Sequence, residues 1–266
     1  MHFVPINFTD PGFNPAYTAD FELLVVINQH HFSYAVRHPA TQRLVRVNTG
    51  NGLDELWNEE KGSELIASNY KKVNIAIETQ SFCLVPNAVF SQEDLLDYTK
   101  FLVVKEADVI LTDEIENGDN TVIFTFPKEV ISKLTAQFQT SKIEFAPKGW
   151  IKAVMQAQLP GQNLYLYLEE NRLQLLFPEG ENIRFYNQFD CSTLDELVYF
   201  TALVTEQLKL KPEETTLILC GRIEEGGEQQ LYLQQFFDQV SLFNSADFRQ
   251  HSVLKQNQVA NFLGLA

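Results

Sequence analysis

Apolar residues gather in three short runs near the start of the chain, and the same three runs return later. Leu23 to Ile27, Phe32 to Val36 and Leu44 to Val47 are bounded by polar turns, which predicts three strands joined as a meander. Leu164 to Leu168, Leu173 to Phe177 and Ile183 to Tyr186 repeat the arrangement. Glu22 to Trp57 aligns without a gap onto Asn163 to Val198, at a constant offset of 141. Each copy then enters a helix at Leu-Asp-Glu-Leu, 53–56 and 194–197. Asn51 and Ser192 read as the helix caps. Asp54 and Asp195, three positions on, suit free backbone N–H groups and the positive end of the helix dipole. Four shared residues say little alone. Three runs, two turns and a helix start in one register predict a duplicated module.

The remaining pattern fills in around the two meanders. Residues 1–20, with Pro5, Pro11, Gly12 and Pro15, read as an irregular lead-in. Gly62 interrupts the first helix, and Leu65 and Ile66 continue its apolar face. Val73, Ile75 and Ile77 alternate as in a half-buried strand. Ser81 to Pro86 predicts a short strand. Ser91 to Asp94 reads as a capping-box start to a helix with Leu95, Leu96 and Tyr98. Strands follow at Asp108 to Thr112 and Thr121 to Phe126, joined by the turn-rich 116–120. Val130, Ile131, Leu134 and Phe138 share a helical face, Ile143 to Phe145 reads as a strand, and Trp150 to Gln156 is ambiguous. Leu159-Pro160-Gly161-Gln162 is the best boundary. Beyond the second meander come a helix with Leu197, Thr201, Val204 and Leu208, and a strand from Thr215 to Cys220 ending at Gly221. Next are a helix carrying Leu231, Leu233, Phe236, Phe237 and Val240, and a closing helix from Val253 to Ala266, expected to return onto the first domain. The expectation is an α/β protein of two related domains, 1–158 and 159–266. Each is a mixed sheet opening with a three-strand antiparallel meander and flanked by helices. The first carries an insertion at about 80–145, the expected seat of specificity.

Composition narrows the function classes. The 266 residues are 45% hydrophobic, with 21 Phe and 9 Tyr, which argues for packed cores. A formal net charge of −15 opposes a phosphate backbone and excludes general nucleic-acid binding. No apolar run is long enough to insert in a membrane, and Met1 to Asn7 shows no secretory pattern. Cys83, Cys191 and Cys220 are odd in number and lack CxxC spacing, so reduced, buried thiols in a cytoplasmic protein are expected.

Local chemistry is sparse. His30 and His31 are adjacent, so on a strand they point to opposite faces and read as a solvated turn rather than a metal pair. His38, before Pro39, reads the same way. Ser33, Thr18 and Cys83 have no partner pattern marking a nucleophile, and neither a Gly-rich phosphate loop nor Gly-x-Ser-x-Gly is present. Glu224, Glu225 and Glu228 around Gly226-Gly227 read as a solvated loop. Tyr165 and Tyr167 share one strand face and are expected to cover the sheet.

Two domains with the same opening meander resemble the sugar kinase–chaperone–actin superfamily, the actin-like ATPase (RNase H-like) fold. Thr216-Leu217-Ile218-Leu219-Cys220-Gly221 and the helix after Gln229 look like the strand–glycine–helix segment that packs on adenosine there. Val259 to Ala266 is similar to the Gly-Leu-Ala ending of the pilus-assembly homologues. The plan as a whole resembles most a bacterial family with this fold and no assigned activity. In the superfamily the first turn of each domain carries Asp-x-Gly for phosphate and magnesium. Here the turns are Asn28-Gln29-His30-His31 and Glu169-Glu170-Asn171-Arg172, without glycine or the strand-borne aspartate, and Arg222 stands where a second glycine is usual. The resemblance implies a cleft where these turns meet, with Gly221 and Arg222 nearby. Mixed charge there, Glu169 and Glu170 against Arg172 and Arg222, suits internal ion pairs better than magnesium–triphosphate. The expectation is a scaffold with no cofactor, no metal and no catalytic residue, binding a protein or peptide as the pilus-assembly relatives do. A divergent ATP-binding protein or kinase is the alternative.

Overall fold

The computed structural model of the chain describes residues 6–50, 52–57, 68–115, 119–138, 142–248 and 254–265. Over residues 6–20 the lead-in is more regular than the sequence suggests: β1 (Asn7–Thr9) joins a sheet edge, and Pro15–Asp20 forms a 3-10 turn capped by Asn14. The first meander is β2 (Glu22–Ile27), β3 (Phe32–Arg37) and β4 (Leu44–Thr49), followed by α1 (Leu53–Trp57) and β5 (Lys72–Ile77). Then come β6 (Phe82–Pro86), the single turn α2 (Leu95–Tyr98), β7 (Asp108–Ile115), β8 (Asn120–Pro127), α3 (Lys128–Phe138), β9 (Ile143–Phe145) and α4 (Pro147–Ala157). The second meander is β10 (Gln162–Glu169), β11 (Arg172–Glu179) and β12 (Asn182–Asp190). It leads to α5 (Leu194–Gln207), β13 (Thr215–Gly221), α6 (Glu228–Leu233), β14 (Gln239–Leu242), and α7 (Ala260–Leu263) after a 3-10 turn.

Among the described residues three sheets form, ordered β1-β4-β3-β2-β5-β9, β12-β11-β10-β13-β14 and β6-β8-β7. The first two share one plan: an antiparallel meander, then two parallel strands beside its first strand. The first hairpins are in identical register, Ile27 opposite Phe32 and Leu168 opposite Leu173, which preserves the offset of 141. Both second pairings shift register at equivalent places, Val36/Arg37 and Phe177/Pro178. The gapless alignment fails in the third strand: Ser33 faces Thr49, but its equivalent Gln174 faces Gln188, two residues early. The cause is the connection. Glu179 and Asn182 flank a tight turn at Gly180 (φ +63°), whereas Arg37 and Leu44 flank a longer loop. The helix starts, Leu53 and Leu194, return to the common offset.

The continuous apolar runs of β2 and β10 reflect burial on both faces. Leu23, Val25 and Ile27 face a central core with Trp150 and Phe124, while Leu24 and Val26 pack with Leu254, Phe262 and Leu265 from the chain's end. On β10, Tyr165 and Tyr167 join the same central core, and Leu164, Leu166 and Leu168 pack under Leu197, Val204 and Leu233. The two sheets therefore share one core across α4, which buries Trp150, Ile151, Ala153, Val154 and Met155. Trp150 stacks on Tyr167 and donates Nε1–H to Gln174 (2.9 Å), which also accepts from the Tyr186 hydroxyl (2.8 Å). The third sheet is tied in by a buried network. Lys148 donates to Asp113 of β7 (2.8 Å) and lies 3.5 Å from Glu144, and Phe145 N–H donates to Asp113 (3.0 Å).

Several boundaries differ from the sequence reading. The cap of α5 is Thr193 with Glu196, not Ser192 with Asp195. Thr193 is extended and accepts from Glu196 N, and the Glu196 carboxylate returns to the Ser192 and Thr193 N–H groups. No capping box forms at Ser91–Asp94: α2 starts after Asp94, whose side chain makes no cap. The predicted helix through Val240 ends at Leu233, and Val240 lies on β14. The chain's end is a 3-10 turn and one helical turn rather than one long helix. Val73–Ile77 is buried more than halfway, with Asn74, Ile75, Ala76 and Ile77 all inside. Asn51, Gly62, Leu65, Ile66, Val253, Ala266 and the turn residues 116–118 lie outside the described residues.

Candidate functional site

The duplication fixes the site. Equivalent hairpin turns, Asn28–His31 and Glu169–Arg172, both border one cleft of about 410 Å³. Beside each turn, the neighbouring parallel strand is followed at once by a charged residue: Glu78 N–H donates to Ile27 O (2.8 Å), and Arg222 N–H to Leu168 O (3.1 Å). Glu78 and Arg222 are thus counterparts with opposite charge. The rest of the wall comes from Thr79, Gln80, Ser81 and Asp190, and from Val103, Lys105, Asp108 and Thr125 of the inserted segment.

An ion pair and a histidine–carboxylate contact cross the cleft floor. Arg172 lies 3.3 Å from Glu78, and His31 lies 3.6 Å from Glu170. Arg222 pairs with Glu169 (2.8 Å) and reaches Thr49 (3.3 Å), and the Tyr167 hydroxyl donates to the other Glu169 oxygen (3.0 Å). Gln80 donates to Asp190 at the mouth. Burial pushes the Glu78 carboxyl up to about 7, reinforced by Glu169 and opposed by Arg172 and an Asn28 hydrogen bond. Burial likewise holds the Tyr167 hydroxyl well above its usual range.

The structure brings Asn28, Gln29, His30, His31, Glu169, Glu170, Asn171 and Arg172 to one cavity. Gly221 and Arg222 stand beside it rather than in its wall. Gly221 has a structural reason to be glycine: its φ is +92°, and a Cβ would sit 1.9 Å from Leu168 O. The first turn is closed on itself. The Asn28 side-chain carbonyl accepts from both His30 N–H and His31 N–H, each at 2.8 Å. Those N–H groups are therefore not free to receive a phosphate, and three carboxylates, Glu78, Glu169 and Glu170, stand close by. The residues present do not fit a magnesium–triphosphate.

Glu78 escaped the sequence reading because a lone glutamate after an apolar strand carries no motif. At the offset of 141 Arg222 falls on Ser81, so the duplication alone does not lead to Glu78; the sheet register, with Ile27 beside Ile77 and Leu168 beside Gly221, does. The inserted segment's Lys105 and Asp108 had no such signal. Among the described residues no group of three or more His, Cys, Asp or Glu could hold a metal ion. Cys191 and Cys220 are buried and Cys83 half-buried, all free, and burial pushes the Cys191 thiol up to about 12. No helix among the described residues is long and apolar enough to cross a membrane.

Comparison with solved structures identifies the architecture. A Bacteroides thetaiotaomicron protein with an actin-like ATPase fold and unknown function superposes with a TM-score of 0.76 at 18% identity. The match covers 87% of this chain and 94% of that one. The PilM–PilN type IV pilus biogenesis complex matches at 0.60 and 11% identity, covering 92% and 97%. The cytoplasmic domain of EpsL, from the Vibrio cholerae type II secretion system, matches at 0.50 and 11%, covering 91% and 92%. At these identities the likeness shows the fold, which is actin-like. Among curated proteins no sequence match is found. The family model described as a protein of unknown function, DUF3822, matches residues 10–240, and the chain belongs to that family.

Proposed function

We propose that this protein is a non-catalytic actin-like scaffold whose cleft receives a protein or peptide rather than a nucleotide. One observation carries the reading: the turn that would cradle phosphate spends its His30 and His31 N–H groups on Asn28, facing Glu78, Glu169 and Glu170. A polyphosphate entering there would meet negative charge and no free backbone donors from those two residues. Partner binding is favoured by a neighbour of the same fold that occurs in a protein complex, PilM with PilN. Residues 1–158 and 159–266 serve as the two units, with the inserted segment at one side of the cleft. Thermal unfolding with and without ATP and magnesium tests the reading. Wild type and Arg222→Ala should each melt at the same temperature in both conditions. A large ATP-induced stabilisation of wild type, lost in Arg222→Ala, would return the cleft to the nucleotide binders.

A further inference from the structure

The inserted segment between β6 and β7 is held in place, with Phe90, Leu95, Tyr98 and Leu102 half-buried, yet turns five large apolar side chains outward. Val89, Leu96, Phe101, Val103 and Val104 are 43–75% exposed. Loose chain does not explain this. The Tyr98 hydroxyl donates to Val89 O (2.9 Å), Ser81 Oγ donates to Val103 O (2.9 Å), and Lys100 pairs with Asp97 (2.7 Å). Large apolar side chains clustered on a fixed surface segment are the usual mark of a docking surface. This surface runs into the cleft, because Val103 and Lys105 also line it. There the character changes to acidic. Glu78, Asp108, Glu169, Glu170 and Asp190 outnumber Lys105 and Arg172, on a chain of net charge −15.

We infer that the cleft and the 89–104 segment form one composite site for a peptide segment carrying Lys or Arg beside large apolar side chains. The basic head enters the cleft towards Glu170, Asp108 and Asp190, and the apolar residues cover Phe101, Val103 and Leu96. The charge complementarity selects the partner: an acidic peptide is repelled, and a purely apolar one gains nothing from the acidic wall. Exposed Phe101 is the expected anchor, since aromatic side chains dominate such contacts. This rests on the binding-module reading above and adds the partner's chemistry and its seat.

Selection of a displayed random twelve-residue peptide library on the full chain tests it, followed by fluorescence anisotropy of the most enriched peptide. Two surface variants, Phe101→Ser with Val103→Ser, and Glu170→Lys, are checked for wild-type circular dichroism and melting. Enriched peptides should place Lys or Arg within a few residues of Leu, Phe or Trp. Each variant should weaken binding by about tenfold or more, and salt should weaken it further. Enriched peptides without basic residues, or binding unchanged in both variants, would overturn the composite site while leaving a peptide-binding protein. A wild-type dimer that Phe101→Ser with Val103→Ser converts to monomer would assign the surface to a second copy instead. No enrichment, together with micromolar ATP binding, would remove the binding-module reading as well.

Discussion

Glu78 shows how one position can report on the cleft. Its carboxyl, buried and facing Glu169 and Glu170, is raised from 4.5 to about 7 in the fold. Between those values the folded protein holds a proton that the unfolded chain has released. The group's contribution is therefore intact at low pH and is lost as pH rises towards 7. Glu78→Gln removes the titration but keeps a group that can face Arg172. Denaturant titrations should show the variant gaining on wild type between pH 5 and pH 8, by on the order of 1–3 kcal/mol. A stability difference that stays flat across that window would mean Glu78 ionises normally. Asn28 is a second informative residue, because its amide carbonyl closes the turn through two N–H groups. Asn28→Ala should cost about 1–2 kcal/mol in the same titrations, whereas exposed His30→Ala should change stability little.

At the scale of elements, α4 and the chain's end are locked by close backbone approach. A Cβ on Gly149 would lie 1.9 Å from Asn261 O, and one on Gly264 would lie 2.2 Å from Gly149 O. Arg37, paired with Glu22 (2.6 Å), also donates to the Leu265 carbonyl. Gly149→Ala and Gly264→Ala should each lower stability by about 2 kcal/mol or more, and Gly52→Ala, whose Cβ would meet only His30 O at an ordinary 3.9 Å, by less than about 0.5 kcal/mol. Equal effects at the three sites in chemical denaturation would contradict the packing described. These elements also show what a sequence can reveal. The meanders were legible because turns bound their apolar runs and because they occur twice. Helix α4 has a polar stripe at Lys148, Lys152 and Gln156, but Trp150 to Gln156 alone spans only about two turns, too short a run to fix a helical period. The helix predicted through Val240 was too long because Phe236, read as a core residue, is 54% exposed and the chain turns to β14 there. The third-strand slip came from turn length, which apolar pattern does not encode.

For the whole molecule, the shared core and the Asp113–Lys148–Glu144 network hold the inserted sheet rigidly against the duplicated body. Asp113→Ala would leave the Lys148 ammonium buried with only the more distant Glu144. It should cost about 3–5 kcal/mol, with hydrogen exchange rising first in β7 and β8. Uniform exchange across all three sheets would show that the network does not anchor the insertion. The duplicated plan was readable from the chain, and the meeting of two turns that lack glycine followed from its resemblance to the actin-like fold. The charge mix was legible too, and Arg222 does pair with Glu169, but that Arg172 turns to Glu78 was not, because those two are remote in sequence and meet only in the fold. In the function proposed above, internal ion pairs fill this actin-like cleft in place of a nucleotide. Isothermal titration of the full chain with ATP and magnesium near neutral pH tests it most directly. Heats no larger than dilution are predicted, and a saturable isotherm with a micromolar Kd would contradict the account.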